Sequence, residues 1–513
     1  MRTGWVFLIV MAVLAAGCAP APQPLERSSR LVGEGSLIPE IAPTPRVASA
    51  TQVREVPMNA AAPVNEALGR GINFGNSLEA PREGDWGAGL DAEYFRIVAD
   101  AGFDHIRLPV SWAEYADTEA PFTIPTGVDP AIVDQPYSNI WERVDWAVDQ
   151  AEANDLMIIV NMHHYDEAQE DPLAHWDRIV GMWEQIAPHY ADAGDHVVFE
   201  LFNEPYAAFY DDPQLWNELL AELLAVVRES NPTRPVLIGP AGFNRIDFLD
   251  DLVLPEDDHL IATVHLYEPL NFTHQGADWL EDIPHIGVPW ATDTFGWNEG
   301  LYDRSWDSRV ITEDDQLRVD FDRQWAGFSV DYVEPARPIE VRFEVEGAGN
   351  LRIGCRAGEE DELNQARIVS TEVAQEFTID LSGCSDRASG ISVMNEAEDF
   401  GPVRFTDFEF CTEAWGCQNI VTDAETSLRR WVERASEWSR RHGVPLHIGE
   451  FGAFSANGAV PIVDRAAWTS TVVDEAVANG LSFAYWEFHA GYAAYDLETR
   501  QWNAPLLEAL LGE

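Results

Sequence analysis

The 513-residue sequence contains no lysine; all 32 of its cationic side chains are arginines, set against 88 aspartates and glutamates. A formal charge of −56 excludes nucleic acid as a partner, since such a chain repels phosphate unless a local basic stripe intervenes, and the sequence has none. The acidic residues are spread along the whole chain. They describe a hydrated surface suited to high salt, where self-repulsion is screened, and say nothing about substrate. Cysteine is also scarce. Of five, Cys18 stands apart, and Cys355, Cys384, Cys411 and Cys417 fall in one short region. An even set so confined favours two disulfides in an exported protein. Three pairings are possible, and proximity selects Cys355 with Cys384 and Cys411 with Cys417.

The N-terminus carries one positive charge and then an apolar run, too short for a membrane span, that stops at small residues. This is the pattern of a secretory signal over residues 1–17. Its end, Leu14-Ala-Ala-Gly-Cys18, resembles a bacterial lipobox, which implies that Cys18 becomes the lipid-bearing first residue of the mature chain. Ala19 stands where an aspartate would imply inner-membrane retention, so the expected location is the outer membrane or cell surface. Residues 18–57, rich in Pro, Ala and Ser, read as a flexible tether.

From residue 58 the chain alternates short apolar strands with helical stretches. Strands are expected at 71–74, 104–110, 156–162, 196–201, 235–239 and 260–267, each closing on polar or aromatic residues, with helices between them. At about residue 306 the period changes to two. Short alternating segments such as Ile339-Glu-Val-Arg-Phe-Glu-Val345 and Val403-Arg-Phe-Thr-Asp-Phe-Glu-Phe410 indicate a β-sandwich over 306–417, holding all four remaining cysteines. Helical spacing returns at 423–441, followed by strands at 444–449 and 481–488. Removing the insertion leaves eight strand–helix repeats. The expected fold is therefore a (β/α)8 barrel, residues 58–305 and 418–513, with an all-β sandwich inserted after its sixth strand.

Two strands deliver glutamates at their C-terminal ends, where such a barrel keeps its chemistry: Phe199-Glu-Leu-Phe-Asn-Glu-Pro205 and His447-Ile-Gly-Glu-Phe-Gly452. The ends of strands four and seven face one another across the mouth. Retaining glycoside hydrolysis needs one carboxylic acid to protonate the leaving oxygen and one carboxylate about 5 Å away to attack the anomeric carbon. Glu204 and Glu450 fit that requirement. Asn203-Glu-Pro205 and Gly449-Glu-Phe-Gly452, together with Gly71-Ile-Asn-Phe-Gly-Asn76, Arg107-Leu-Pro109, Asn161-Met-His-His-Tyr165, His265-Leu-Tyr267 and Trp486, resemble the motifs of family 5 glycoside hydrolases, in particular their cellulase-like endoglucanases.

The resemblance implies roles. Glu204 becomes the general acid/base and Glu450 the nucleophile, with Arg107 beneath Glu450 keeping it ionised. The negative charge of Glu450 is expected to raise the pKa of Glu204. Asn203 would donate to the sugar 2-hydroxyl, His265 and Tyr267 would orient the carboxylates, and His163 would bond sugar hydroxyls. Trp486 would be a platform under the sugar. Trp112, Trp279, Trp290 and Trp297 are further aromatics that could line the cleft, and Trp325 or Trp415 could offer a platform on the insert, whose other reading is a structural staple. No metal or cofactor is expected: His163 and His164 are neighbours on an extended segment and point apart, with no third ligand at suitable spacing. Glu359, Glu360 and Asp361 invite a calcium reading, but a charge run in this composition is ordinarily solvated surface. The expected activity is that of a monomeric, lipid-anchored endo-β-1,4-glucanase acting on cellulose-like or mixed-linkage β-glucan. The rivals are a β-mannanase or glucomannanase, an exo-acting enzyme whose cleft the insert blocks at one end, and a non-catalytic surface glycan-binding protein.

Overall fold

The computed structural model describes residues 56–129, 137–280, 283–284, 286–287, 290, 302–306, 308–313, 316–331, 338–357, 360–384, 390–397, 401–412, 416–419 and 424–512. Cys18, Trp297, Glu359 and Trp415 lie outside them. The chain divides into a barrel unit (Gln52–Ala277, Ile283–Trp290 and Leu428–Glu513) and a second unit built around Ala291–Ser427.

In the barrel unit eight parallel strands close on themselves in chain order: β1 (Arg70–Asn73), β2 (His105–Val110), β3 (Met157–Met162), β4 (Val197–Glu200), β5 (Val236–Ile238), β6 (Leu260–Leu266), β7 (Leu446–Phe451) and β8 (Ser482–Tyr485). Period-two alternation sorts their side chains. Ile158, Val160, Val197, Phe199, Val236 and Ile238 pack with the helices in the main core, whereas Ile159, Val198, Leu237 and Ile261 form a separate cluster with Ala61 and Leu68. Further along the same inward face the residues turn polar: Ile159 gives way to Asn161, Val198 to Glu200, and Ile261 to Thr263 and His265. An apolar floor therefore supports a polar mouth.

The helices are where apolar spacing puts them. Pro213–Ser230 buries Trp216, Leu219, Leu220, Leu223, Leu224 and Val227 on one face, and Asp212 caps it by accepting from the amide of Gln214. Asp171 and Asp91 cap Pro172–His189 and Ala92–Ala101 in the same way, and the latter ends at Gly102 with φ 100°. Among the described residues no helix is long and apolar enough to cross a membrane.

The second unit is a sandwich of antiparallel sheets. One sheet has the order Glu360–Ser370, Gly349–Ala357, Gly390–Asn395, Gly327–Asp331, Tyr302–Trp306. The other runs Gln375–Asp380, Pro338–Glu346, Val403–Thr412, Gln316–Phe321, Ser308–Glu313, with Gly416–Asn419 beside Val403–Thr412. Both contribute to one core: Phe328, Ile353 and Ile391 from the first meet Phe343, Phe377 and Phe405 from the second. Cys355, on the strand Gly349–Ala357 of one sheet, is bonded to Cys384 in the turn that follows Gln375–Asp380 of the other, and Cys411 to Cys417, closing a hairpin. The unit is wider than 306–417 because Tyr302–Trp306, too polar to read as a strand, pairs with Gly327–Asp331. Trp325 is 47% exposed at φ 68°, its amide bonded to the Asn395 carbonyl at 2.7 Å.

Candidate active site

Arg107 on β2 is fully buried and is bonded in five directions. Its Nε and one terminal nitrogen grip Glu200 at 2.6 and 2.8 Å, that same terminal nitrogen reaches Asn203 Oδ1 at 2.7 Å, and the other donates to Glu450 at 2.7 Å and Asn73 Oδ1 at 2.9 Å. A planar guanidinium fork is suited to such multidentate contact. Asn73 is held in turn by donating to the Gly449 carbonyl at 2.9 Å and that of Ala484 at 3.1 Å. The guanidinium thus ties β1, β2, β4 and β7 together at the mouth.

Glu450 is aimed by an irregularity in β7. Ile448 pairs with Val264, but Glu450 pairs with His265, so Gly449 is an extra residue in the ladder. A side chain at Gly449 would lie 2.7 Å from the Thr263 hydroxyl and 3.1 Å from the His265 ring. The motif needs glycine there for close approach. One Glu450 oxygen takes the Arg107 bond, and the other accepts from the Tyr267 hydroxyl at 3.0 Å and lies 3.7 Å from His265 Nδ1.

Glu204 sits just past β4 at φ 44°, a conformation uncommon outside glycine. Gln169 braces this turn, donating to the Glu204 carbonyl at 3.1 Å and accepting from the Tyr206 amide at 2.8 Å. The Glu204 carboxyl meets His265 Nδ1 at 2.5 Å. One oxygen of each glutamate and that nitrogen all lie within 4.8 Å of one another.

Burial pushes the Glu204 carboxyl up to about 8; Arg107 opposes the shift and Glu200 adds to it. The expectation that Glu450 would supply the shift is corrected: desolvation is the largest cause, and the neighbouring carboxylate that adds to it is Glu200. Burial also raises Glu450, while His265 and Arg107 pull it down, and donors to both of its oxygens favour its charged form. Burial drives His265 down to about 4, leaving it neutral.

His163 is buried with Nδ1 on Asn161 Oδ1 at 2.8 Å, and its ring lies parallel to that of Trp486, with centroids 5.9 Å apart. Trp486 follows β8 and is partly exposed. Asn203 is buried, and with Oδ1 on Arg107 its amide nitrogen is the end available to donate. Trp112 is core, its indole donating to the Asn161 carbonyl at 3.3 Å, so it does not line a cleft. Trp279 and Trp290 are half-buried, the latter against Phe272.

Among the described residues, the buried carboxylates that escaped the sequence reading include Glu200, Glu79 and Glu487. Glu200 lies inside an apolar run. Glu79 accepts from the Asn76 and Ser77 amides, and Glu487 accepts from the Asn76 side chain. Burial raises Glu79 to about 7 and Glu487 well above the ordinary carboxylate range. Their signal was position: Glu487 directly follows Trp486, and Glu79 lies three residues beyond Asn76.

Comparison with known proteins places this constellation. The family model "Cellulase (glycosyl hydrolase family 5)" matches residues 66–307 and 400–491. The chain belongs to glycosyl hydrolase family 5. It carries the catalytic fold of that family, with the extra sandwich falling between and across the matched stretches. Endoglucanase H of Acetivibrio thermocellus is 34% identical over 208 residues, 40% of this chain and 22% of that protein. Endoglucanase A of Ruminococcus albus is 31% identical over 236 residues, 41% of this chain and 61% of that protein. The chain therefore spans from about a fifth to three fifths of the length of these family 5 relatives. Among solved structures, a hyperthermophilic endo-β-1,4-glucanase with substrate is 27% identical at a TM-score of 0.59, covering 89% of this chain and all of its own. Endoglucanase Cel5A of Thermotoga maritima is 28% identical at 0.56, covering 88% and 99%.

Arg107→Met leaves Glu200 and Glu450 buried without their cation and is expected to cost about 3–5 kcal/mol of unfolding free energy. Urea denaturation measures it; an unchanged midpoint would show that the guanidinium does not anchor the mouth.

Proposed function

We propose that this chain is a retaining endo-β-1,4-glucanase acting on cellulose-like or mixed-linkage β-glucan by double displacement. The observation that carries the reading is two carboxyls within 4.8 Å, held in unequal surroundings. Such close approach of the nearest oxygens suits direct attack at the anomeric carbon, as retaining chemistry requires. Glu204, protonated at neutrality, is the general acid: it gives its proton to the leaving oxygen as Glu450, bonded to Arg107 and Tyr267, attacks the sugar. Once the glycosyl-enzyme forms, the negative charge on Glu450 is neutralised, and Glu204 takes a proton from water. Neutral His265 bridges the pair, and the Asn203 amide is set to donate to the sugar 2-hydroxyl. Trp486, with His163 parallel to it, offers the face on which the ring is held.

A β-mannan substrate is the second reading. Cel5A of Thermotoga maritima, 28% identical, has been solved with both cellobiose and mannotriose. The same carboxylate pair serves either sugar.

The bell-shaped pH profile of kcat/KM should fall as pH rises through about 8, where Glu204 loses the proton it must donate, and fall again in acid as Glu450 is protonated. Glu204→Gln should lose kcat/KM on barley β-glucan and carboxymethyl cellulose while keeping most of it on an activated aryl cellobioside, whose leaving group needs no acid; the later hydrolysis of the glycosyl-enzyme, which needs Glu204 as base, slows and leaves a burst of released aryl group. Loss on both substrates alike would contradict the role of Glu204. A preference for galactomannan over the glucans would select the second reading.

We further propose that the exported chain is acylated at Cys18 and faces outward on the outer membrane or cell surface, and that Trp325 is a glycan-contacting platform on the insert. The lipobox-like sequence supports the first and the exposed, backbone-braced ring supports the second. Cys18→Ser should move the protein from the membrane to the soluble fraction; Trp325→Ala should weaken adsorption to insoluble cellulose. Unchanged partition or adsorption would remove the corresponding proposal.

A further inference from the structure

The backbone of Glu204 is held in a conformation that its own sequence resists. A φ of 44° puts a residue with a Cβ in the left-handed region, and Ala207, three positions on, is there too at 49°. Pro205 between them has no amide hydrogen with which the turn could bond itself down. What holds the stretch comes from outside it. At its start the Asn203 amide donates to the Met162 carbonyl at 2.8 Å, and the Pro205 carbonyl accepts from the Gly242 and Phe243 amides at 2.7 and 3.1 Å. Between these anchors the Glu204 carbonyl and the Tyr206 amide both go to one side chain, Gln169, at 3.1 and 2.8 Å. Its nitrogen also lies 3.5 Å from the Asn203 carbonyl.

A primary amide carries a donor and an acceptor side by side, which is what spanning a carbonyl and an N–H two residues apart requires. Gln169 is 3% exposed, so bulk water does not compete for these bonds. Its own place is fixed independently. It stands on the short helix Asp166–Glu170, which directly follows His163, His164 and Tyr165. Arg178 donates to the Tyr165 hydroxyl at 2.8 Å and to the Ala113 and Ala116 carbonyls at 2.6 and 2.7 Å, and the Tyr206 hydroxyl returns to Asp166 at 3.2 Å. The segment that carries His163 and the turn that carries Glu204 are therefore one bonded unit.

We propose that Gln169 is a positioning residue for the acid/base: through the backbone of residues 203–206 it holds the Glu204 carboxyl toward the leaving oxygen, acting on Glu204 and not on the sugar. This rests on the glycosidase reading. Relaxation of a left-handed φ swings the side chain that the residue carries, and a misplacement on the order of 1 Å at a reacting group can cost about a hundredfold in rate.

The test is kcat/KM of wild type, Gln169→Met and Gln169→Glu on barley β-glucan and on an activated aryl cellobioside, together with crystal structures of the variants. Gln169→Met has the same reach without donor or acceptor, and is expected to lose about tenfold to a hundredfold on the glucan and little on the aryl cellobioside, whose leaving group needs no acid. Gln169→Glu keeps an acceptor for the Tyr206 amide and should lose less, with the same split between substrates. In Gln169→Met the basic limb of the glucan profile should also move below about 8, because the freed turn admits water to Glu204 while the ionisable groups around it, His265, Glu450, Arg107 and Glu200, are unchanged. Equal losses on the two substrates, an unmoved limb, or no loss at all would each overturn the proposal. If wild type cleaves neither substrate the catalytic reading falls, and the structure of Gln169→Met still decides the place of Gln169: a Glu204 φ that leaves the positive region supports it, and one that stays near 44° with the His265 contact intact overturns it.

Discussion

Everything at the mouth of the barrel depends on one buried cation. A guanidinium withdrawn from water is tolerable only when opposite charge and acceptors surround it, and Arg107 has two carboxylates and two amide oxygens at 2.6–2.9 Å. These partners come from β1, the β4 end and β7, so satisfying the charge and closing the barrel become one requirement. A chain without lysine is not handicapped here, since an ammonium is a point charge and lacks the planar fork that Glu200 and Glu450 share.

Two glutamates at the mouths of opposite strands receive different chemistry from different neighbours. Glu204 is on a turn with positive φ, faces a neutral histidine, and is kept protonated chiefly by loss of water. Glu450 receives Arg107 and Tyr267 on separate oxygens. Glu204 adds a little to the upward push on Glu450, but the asymmetry comes from which donors each carboxyl can reach. The extra residue Gly449 decides that reach, because it sets Glu450 opposite His265 in the ladder.

The parts that were legible in the sequence are those where periodicity and position coincide. Apolar runs ending in Asn203-Glu204 and Gly449-Glu450 announce strand ends; Leu219, Leu220 and Leu223 announce a helix face. Glu200 was not legible because Val197-Val-Phe-Glu200 reads as core, and only the closed barrel shows that its alternate residues face an interior cation. Tyr302–Trp306 has too little apolar character to show as a strand until its partner is known. Trp112 and Trp86 illustrate the same limit for aromatics: one is sealed in the core and the other is 39% exposed against His164, and residue type alone does not separate them. Trp86 lies in a glycine-rich loop with no period at all, and its anchor, the pair of Glu83 with Arg143, spans 60 positions.

The insertion has a consequence for the order in which the molecule assembles. β6 ends at Leu266 and its partner β7 begins at Leu446, so the ladder that opposes His265 to Glu450 closes a loop of about 180 residues. Without residues 291–427 that loop would be about four times shorter, and the added closure entropy is roughly 1 kcal/mol. The cost is small because it grows only with the logarithm of length. It falls further if the sandwich, which has its own core and both disulfides, folds before the ladder forms. Barrel closure is then a late folding event, and the catalytic pair meets only when the last quarter of the barrel docks. During synthesis the chain would therefore remain without its reactive centre until β7 has emerged.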